Sequence, residues 1–165
     1  MRIVISRCLL GERTRYDGRV RFDPGLAGFL AARCELLPVC PEVECGLPVP
    51  REPMRLAGDP LHPRLLGTAS GADRTFRLMG FVCEWLDGLE RGGAHGAVLK
   101  SRSPCCALSP VPVFDPTGRE VGASLGLFAR ALAERFPDLP AAGEEQLESP
   151  AGRLAFLARA ARRAG

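Results

Sequence analysis

Arg2-Ile3-Val4-Ile5-Ser6, followed at once by Arg7-Cys8-Leu9-Leu10-Gly11, is the stretch on which the fold turns. Ile-Val-Ile is β-branched and apolar at consecutive positions, which predicts a short buried strand, and Gly11 marks the exit into a loop. Working outward, Glu35 to Val39 is a second apolar run, stopped by Cys40-Pro41-Glu42. Gly96 to Leu99 is a third, ending in Lys100-Ser101-Arg102-Ser103-Pro104-Cys105-Cys106. Val111 to Phe114 is a candidate fourth strand, with Asp115-Pro116-Thr117-Gly118 as a turn. Helical patterns lie between and after these runs: Pro24 to Cys34, Arg74 to Leu89 (Phe76, Met79, Phe81, Val82, Trp85, Leu86 and Leu89 at helical spacing), Leu125 to Phe136 and Pro150 to Ala164. Gly46 to Ala72 is dense in Pro and Gly and reads as mostly irregular, a lid or long binding loop. Strands alternating with helices predict an α/β protein, one domain over residues 1–165, with a mostly parallel, Rossmann-like sheet flanked by helices. Strand order is not legible at this level.

The chain has 165 residues, 46% hydrophobic and 25% charged, enough for one hydrophobic core. A net charge of +3 without an aromatic-basic motif gives no nucleic-acid surface. Arg159, Arg162 and Arg163 read as the solvated face of the last helix. The apolar run at the N-terminus is too short for a signal peptide, and no stretch approaches the roughly 20 apolar residues of a membrane span. The expected compartment is the cytoplasm. There an odd count of seven cysteines suits metal ligands, catalytic thiols or core fillers better than disulfides.

Cys8, Cys40 and Cys106 each fall just beyond a predicted strand. Ligands of open parallel sheets bind beyond the carboxyl ends of the strands, so residues distant in sequence converge there. No Cys-x-x-Cys pair is present, which removes the usual signature of zinc ribbons and thioredoxin-like sites. Three soft thiolates without an obvious fourth ligand suit an iron–sulfur cubane with one open iron, since only His62 and His95 are available as imidazoles and neither has ligand-like spacing. Three half-buried thiols are the other reading, because free Cys is among the most buried residue types. The residues alone leave both open. Cys34 and Cys83, within apolar helices, read as core fillers, and Cys45 as a pocket-rim thiol or a small residue near a turn.

Several ordered blocks resemble domain-of-unknown-function family 523, which includes the thiouracil desulfidases. They are Ser6-Arg7-Cys8-Leu9-Leu10-Gly11, Arg15-Tyr16-Asp17-Gly18, Pro38-Val39-Cys40-Pro41-Glu42-Val43, Gly46-Leu47-Pro48, Pro50-Arg51-Glu52-Pro53 and Leu99 to Cys106. The resemblance implies a [4Fe–4S] cluster held by Cys8, Cys40 and Cys106, with one iron free of protein ligands. It implies an enzyme that removes sulfur from a thiolated pyrimidine as sulfide, without net redox change. Glu42, two residues beyond a ligand, is then the acid/base candidate, unless it merely caps the following turn. Ser101 and Ser103 are candidates to bind substrate or relay a proton.

Tyr16, Asp17 and Lys100 are candidate substrate contacts: Tyr16 either stacks on a planar base or anchors its loop, and Lys100 either holds a substrate oxygen or balances cluster charge. Arg51 and Glu52 are expected to pair with each other or with Asp17. The chain departs from the family at Cys105, where Ser is usual, at Ala107, where Gly is common, and at Cys45. Either thiol of the Cys105–Cys106 pair is then in reach of an iron, and Cys105 is expected beside the pocket as a substrate contact. Two other classes stay open: a cluster-binding sensor with Cys105 as fourth ligand, and a zinc or thiol hydrolase.

Overall fold

A computed structural model describes residues 1–20 and 22–164 of the chain, and the side chains as far as Arg163. β1 (Arg2–Ser6) forms as expected and lies inside a four-stranded parallel sheet of order β2-β1-β5-β8. Its neighbours are β2 (Glu35–Val39), in register Ile3↔Leu36, and β5 (Gly96–Leu99), in register Ile3↔Gly96. β8 (Ala141–Gly143) closes the other edge. Ile3, Val4 and Ile5 have no exposed surface, which explains the unbroken apolar run: a strand covered on both faces has no wet side to alternate with.

The two faces have separate cores. Ile3, Ile5 and Val98 pack with Leu26 and Leu30 of α1 (Pro24–Ala31) and with Phe156, Leu157 and Ala160 of α5 (Pro150–Ala164). Val4, Ala97 and Leu99 pack on the other side with Leu78, Val82, Leu86 and Leu89 of α3 (Thr75–Gly92) and with Leu127, Phe128 and Leu132 of α4 (Leu127–Arg135). Trp85 meets Phe128 edge to face, ring centroids 5.5 Å apart. α1 starts where local chemistry dictates: the Asp23 carboxylate accepts from Leu26 N at 2.9 Å and Pro24 occupies the first turn. It ends at Ala31, short of Cys34.

Four expectations need correction. Gly46 to Ala72 is not mostly irregular, because β3 (Met54–Asp59) and β4 (His62–Gly67) form a hairpin there, paired from Met54↔Gly67 to Asp59↔His62. The alternation that reveals β4 is Pro63, Leu65 and Gly67 inward, so two of its three inward positions are a Pro and a Gly. Val111–Phe114 (β6) is a strand, but it belongs to a second, mixed sheet of order β4-β3-β6-β7, completed by β7 (Glu120–Ser124). Cys83 is exposed rather than a core filler, one position off the buried stripe of α3, and Cys34 is half-buried. Phe76, counted with the apolar stripe, is 93% exposed. Arg159, Arg162 and Arg163 are exposed as expected. Among the described residues no helix is long and apolar enough to cross a membrane.

The loop after β5 is locked to the start of α4. Leu127 N donates to Pro104 O (3.1 Å), Phe128 N to Cys105 O (2.9 Å) and Gly126 N to Ala107 O (2.9 Å). A Cβ on Gly126 would lie 2.5 Å from the Cys105 carbonyl oxygen and 2.7 Å from Ala107 N, both main-chain atoms. Gly126→Ala is therefore expected to destabilise the fold by about 2 kcal/mol or more. The measurement is denaturant unfolding, where a lower midpoint at constant slope is the expected result; an unchanged midpoint would refute the close-contact account.

Candidate active site

All four strands of the parallel sheet deliver residues to one cavity of about 580 Å3 at their carboxyl ends. The order β2-β1-β5-β8 places β2 and β5 on opposite sides of β1, so the chain reverses direction across the sheet at β1, where such sheets bind ligands. From β1 come Ser6 and Cys8, the latter in a single 3-10 turn (Arg7–Leu10) that ends at Gly11 with φ 91°. β2 supplies Cys40, which starts the short α2 (Pro41–Glu44), and Glu42. β5 supplies Lys100, Ser101, Ser103 and Cys106, and β8 supplies Glu144.

Cys8, Cys40 and Cys106 thus line one cavity, and among the described residues no fourth cysteine does. Cys105, expected beside the pocket, does not line the cavity. It has no exposed surface and packs in the same hydrophobic core as Cys106, directly behind it. Ser103 Oγ accepts from both Cys105 N and Cys106 N at 3.1 Å, a cap-like turn that fixes the backbone of both residues. The Cys105 thiol stays protonated far above its ordinary range, through its hydrogen bond to Cys106 and through burial.

Two of the three lining thiols resist ionisation on their own. Burial, then the Cys106 and Cys40 sulfurs, push Cys8 up to about 12. Burial likewise raises Cys40 to about 11, with Cys106 and Glu42 adding to it against a hydrogen bond from the Val43 amide. Thiolates crowded out of water need a shared cation, so the donor set fits a soft, multivalent metal group. Among the described residues no three His, Cys, Asp or Glu side chains close around a single-ion position.

Glu42 and Arg51 form a nearly buried pair, their side chains 12% and 7% exposed. Both guanidinium contacts, from Nε at 3.0 Å and from Nη2, go to Glu42 Oε2, and Oε1 has no protein partner among the described residues. Arg51 is itself anchored on Thr14 O at 3.0 Å and Pro48 O at 3.2 Å. Arg51 therefore pairs with Glu42, not with Asp17 or Glu52. Glu52 instead caps the turn at Ala69 and Ser70. Arg51 stands in one of the family-like blocks, but nothing in its spacing shows its partner.

On the opposite wall Lys100, Ser101 and Glu144 form a closed network. Ser101 N donates to Glu144 Oε2 (2.6 Å) and Ser101 Oγ to Glu144 Oε1 (2.7 Å), while Lys100 Nζ reaches Glu144 Oε1, Ser101 Oγ and Ser101 O. The three N–H donors of Lys100 are thus taken within the protein. Burial works against the Glu144 charge, and the hydrogen bonds from Lys100 and Ser101 outweigh it, holding its carboxyl below the ordinary range. Glu144 escapes sequence reading because β8 is three residues of Ala-Ala-Gly, too short and too small to signal a strand.

Tyr16 lines the cavity and is 41% exposed, with the Arg15 guanidinium 5.7 Å from its ring centre. Asp17 does not line it. The Arg15 guanidinium, gripping both Asp17 oxygens at 3.1 Å, holds that carboxyl down at about 2 and braces the loop. His95 Nδ1 accepts from Arg2 N at 2.8 Å and, like His62, lies away from the cavity.

Comparison with known proteins places this geometry. A solved structure of a [4Fe–4S]-dependent thiouracil desulfidase, TudS, superposes with a TM-score of 0.73 at 32% identity, covering 95% of this chain and 98% of that one. The protein YbbK of Bacillus subtilis (strain 168) is 30% identical over 109 residues, 63% of this chain and 72% of YbbK. The family model described as 2-thiouracil desulfurase matches residues 3–144, from β1 to Glu144, so the parallel sheet and the cavity at its end are those of a member of the 2-thiouracil desulfurase family.

Proposed function

We propose that this protein is a [4Fe–4S]-dependent desulfidase that exchanges the sulfur of a thiolated pyrimidine, such as thiouracil, for oxygen from water. The carrying observation is that three desolvated thiols from three strand ends share one cavity with a carboxylate that has a free oxygen. Cys8, Cys40 and Cys106 hold the cluster, leaving one iron without a protein ligand. When bound, the cluster supplies a thiophilic Lewis acid that polarises the carbon–sulfur bond. The balance is thiocarbonyl plus water giving carbonyl plus hydrogen sulfide, so no oxidant or reductant is consumed. A compartment that keeps seven free thiols reduced, such as the cytoplasm, suits this chemistry.

The chain's own residues divide the remaining tasks. Arg51 fixes one oxygen of Glu42, so Oε1 receives the proton of the attacking water. Tyr16 at the cavity mouth offers an aromatic face to a planar ring. Ser103 caps the turn that presents Cys106. Cys105 is neither a ligand nor a substrate contact in this reading, because its side chain faces the core.

Anaerobic reconstitution with iron and sulfide, followed by a sulfide-release assay on thiouracils, tests the proposal. Visible cluster absorption and sulfide production are expected, and a cluster-loaded protein that releases no sulfide sinks it. Cys8→Ser, Cys40→Ser and Cys106→Ser are each expected to lose the absorption, whereas Cys105→Ser keeps it. Loss of the cluster in Cys105→Ser would make the centre a four-thiolate one. Glu42→Gln is expected to keep the iron content while kcat falls about 100-fold or more, and near-wild-type turnover would remove Glu42 from the chemistry.

A further inference from the structure

Ser101, on the cavity wall, sits between one side chain that only donates hydrogen bonds and one that only accepts them. Lys100 Nζ lies 3.1 Å from Ser101 Oγ and Glu144 Oε1 lies 2.7 Å from it. An ammonium has no lone pair and a carboxylate has no hydrogen, so the direction of the hydroxyl follows from chemistry. Its proton goes to Glu144, and one lone pair receives Lys100. Glu144 Oε2 holds the Ser101 main chain as well, through N–H at 2.6 Å. Lys100 binds the Ser101 carbonyl at 3.2 Å, which closes the ring of contacts. Ser101 is 8% exposed, so this arrangement is shielded from competing water. A serine oxygen has two lone pairs, and one remains uncommitted. Ser101 therefore has an acceptor to offer a ligand and no donor.

We infer that Glu144 is a specificity-determining positioning residue: by fixing Ser101 as an acceptor, it makes the site read a ring N–H beside the thiocarbonyl of its substrate. This rests on the reading of the cavity as a thiopyrimidine site. The chemistry gives the contact a purpose. A thiouracil whose ring nitrogen keeps its hydrogen is a thione, with a carbon electrophilic enough for water. The tautomer that moves this hydrogen to sulfur has lost the C=S bond, and its bare ring nitrogen would face another lone pair. An acceptor at this position selects the reactive tautomer and rejects the other. Ser101 touches the substrate, and Glu144 acts through Ser101. Glu42, the water-activating group, stands apart on the α2 wall with Arg51.

The test compares thiouracil with derivatives methylated at each ring nitrogen beside the thiocarbonyl, in the cluster-loaded wild type, Ser101→Ala and Glu144→Gln. In the wild type, methylation at one of these nitrogens is expected to lower kcat/KM about tenfold or more. Both variants are expected to lose about tenfold with thiouracil itself and to discriminate less than about threefold between it and the methylated ring. Iron content and visible absorption of the variants are expected to match the wild type, separating this role from a structural one. Equal use of parent and methylated rings by the wild type overturns the assignment. So does a methyl penalty that persists in Ser101→Ala, which would mark a steric wall. A cluster-loaded wild type inactive on every unmethylated thiouracil overturns the functional reading first, and this assignment with it.

Discussion

β1 turns no side chain to water from Ile3 to Ser6, and the site depends on that double burial. With one core on each face, any shift of β1 would drag Ile3, Val4 and Ile5 out of close-packed surroundings. Its two partners are held in register at the same time, with Ile5 facing Pro38 on one side and Val98 on the other. Three carboxyl ends are therefore fixed relative to one another by packing, without help from the polar groups beyond them. Cys8, Cys40 and the loop to Cys106 inherit their spacing from this arrangement. Cys8 and Cys40, whose ionisation burial opposes, cannot organise the site by their charge, so the surrounding hydrophobic cores must do it.

The charges around the cavity are arranged as internally satisfied pairs. Arg51 with Glu42 and Lys100 with Glu144 stand on separate walls, each pair less than a quarter exposed. Breaking one member of such a pair strands the other without water, which costs more than the pair contributes when intact. The pairs are therefore better understood as devices for aiming single atoms than as sources of stability. In the proposed reaction the atoms so held are Glu42 Oε1 and Ser101 Oγ.

Much of this was legible in the residues. β1, β2 and β5 announce themselves by apolar runs, and each ends at a thiol-bearing block, so the convergence of Cys8, Cys40 and Cys106 follows from the logic of parallel sheets. The second sheet was hidden because Pro and Gly occupy inward positions of β4, where Val or Ile would normally signal a strand. Glu144 was hidden for a related reason: a strand of Ala-Ala-Gly carries no periodic signal, so nothing marked the next residue as a strand end. Cys105 lies fully buried behind Cys106 and hydrogen-bonded to it, and adjacency in sequence does not reveal which of the two thiols lines the cavity. What sequence conveyed poorly, throughout, was the direction of side chains in irregular segments.

The interleaved strand order also governs the time at which the site comes into being. β1 pairs early with β2, but its other neighbour arrives much later, and the bond from Lys100 N to Ser6 Oγ joins residues 94 apart. Glu144 meets Lys100 only after a further 44 residues. Contacts of such long range form slowly, because chain closure must precede any reward from packing. During synthesis Cys8 and Cys40 emerge well before Cys106, so a complete three-thiol set cannot form on the first half of the chain. The cavity at the strand ends is thereby completed only once β5 and β8 have joined the sheet.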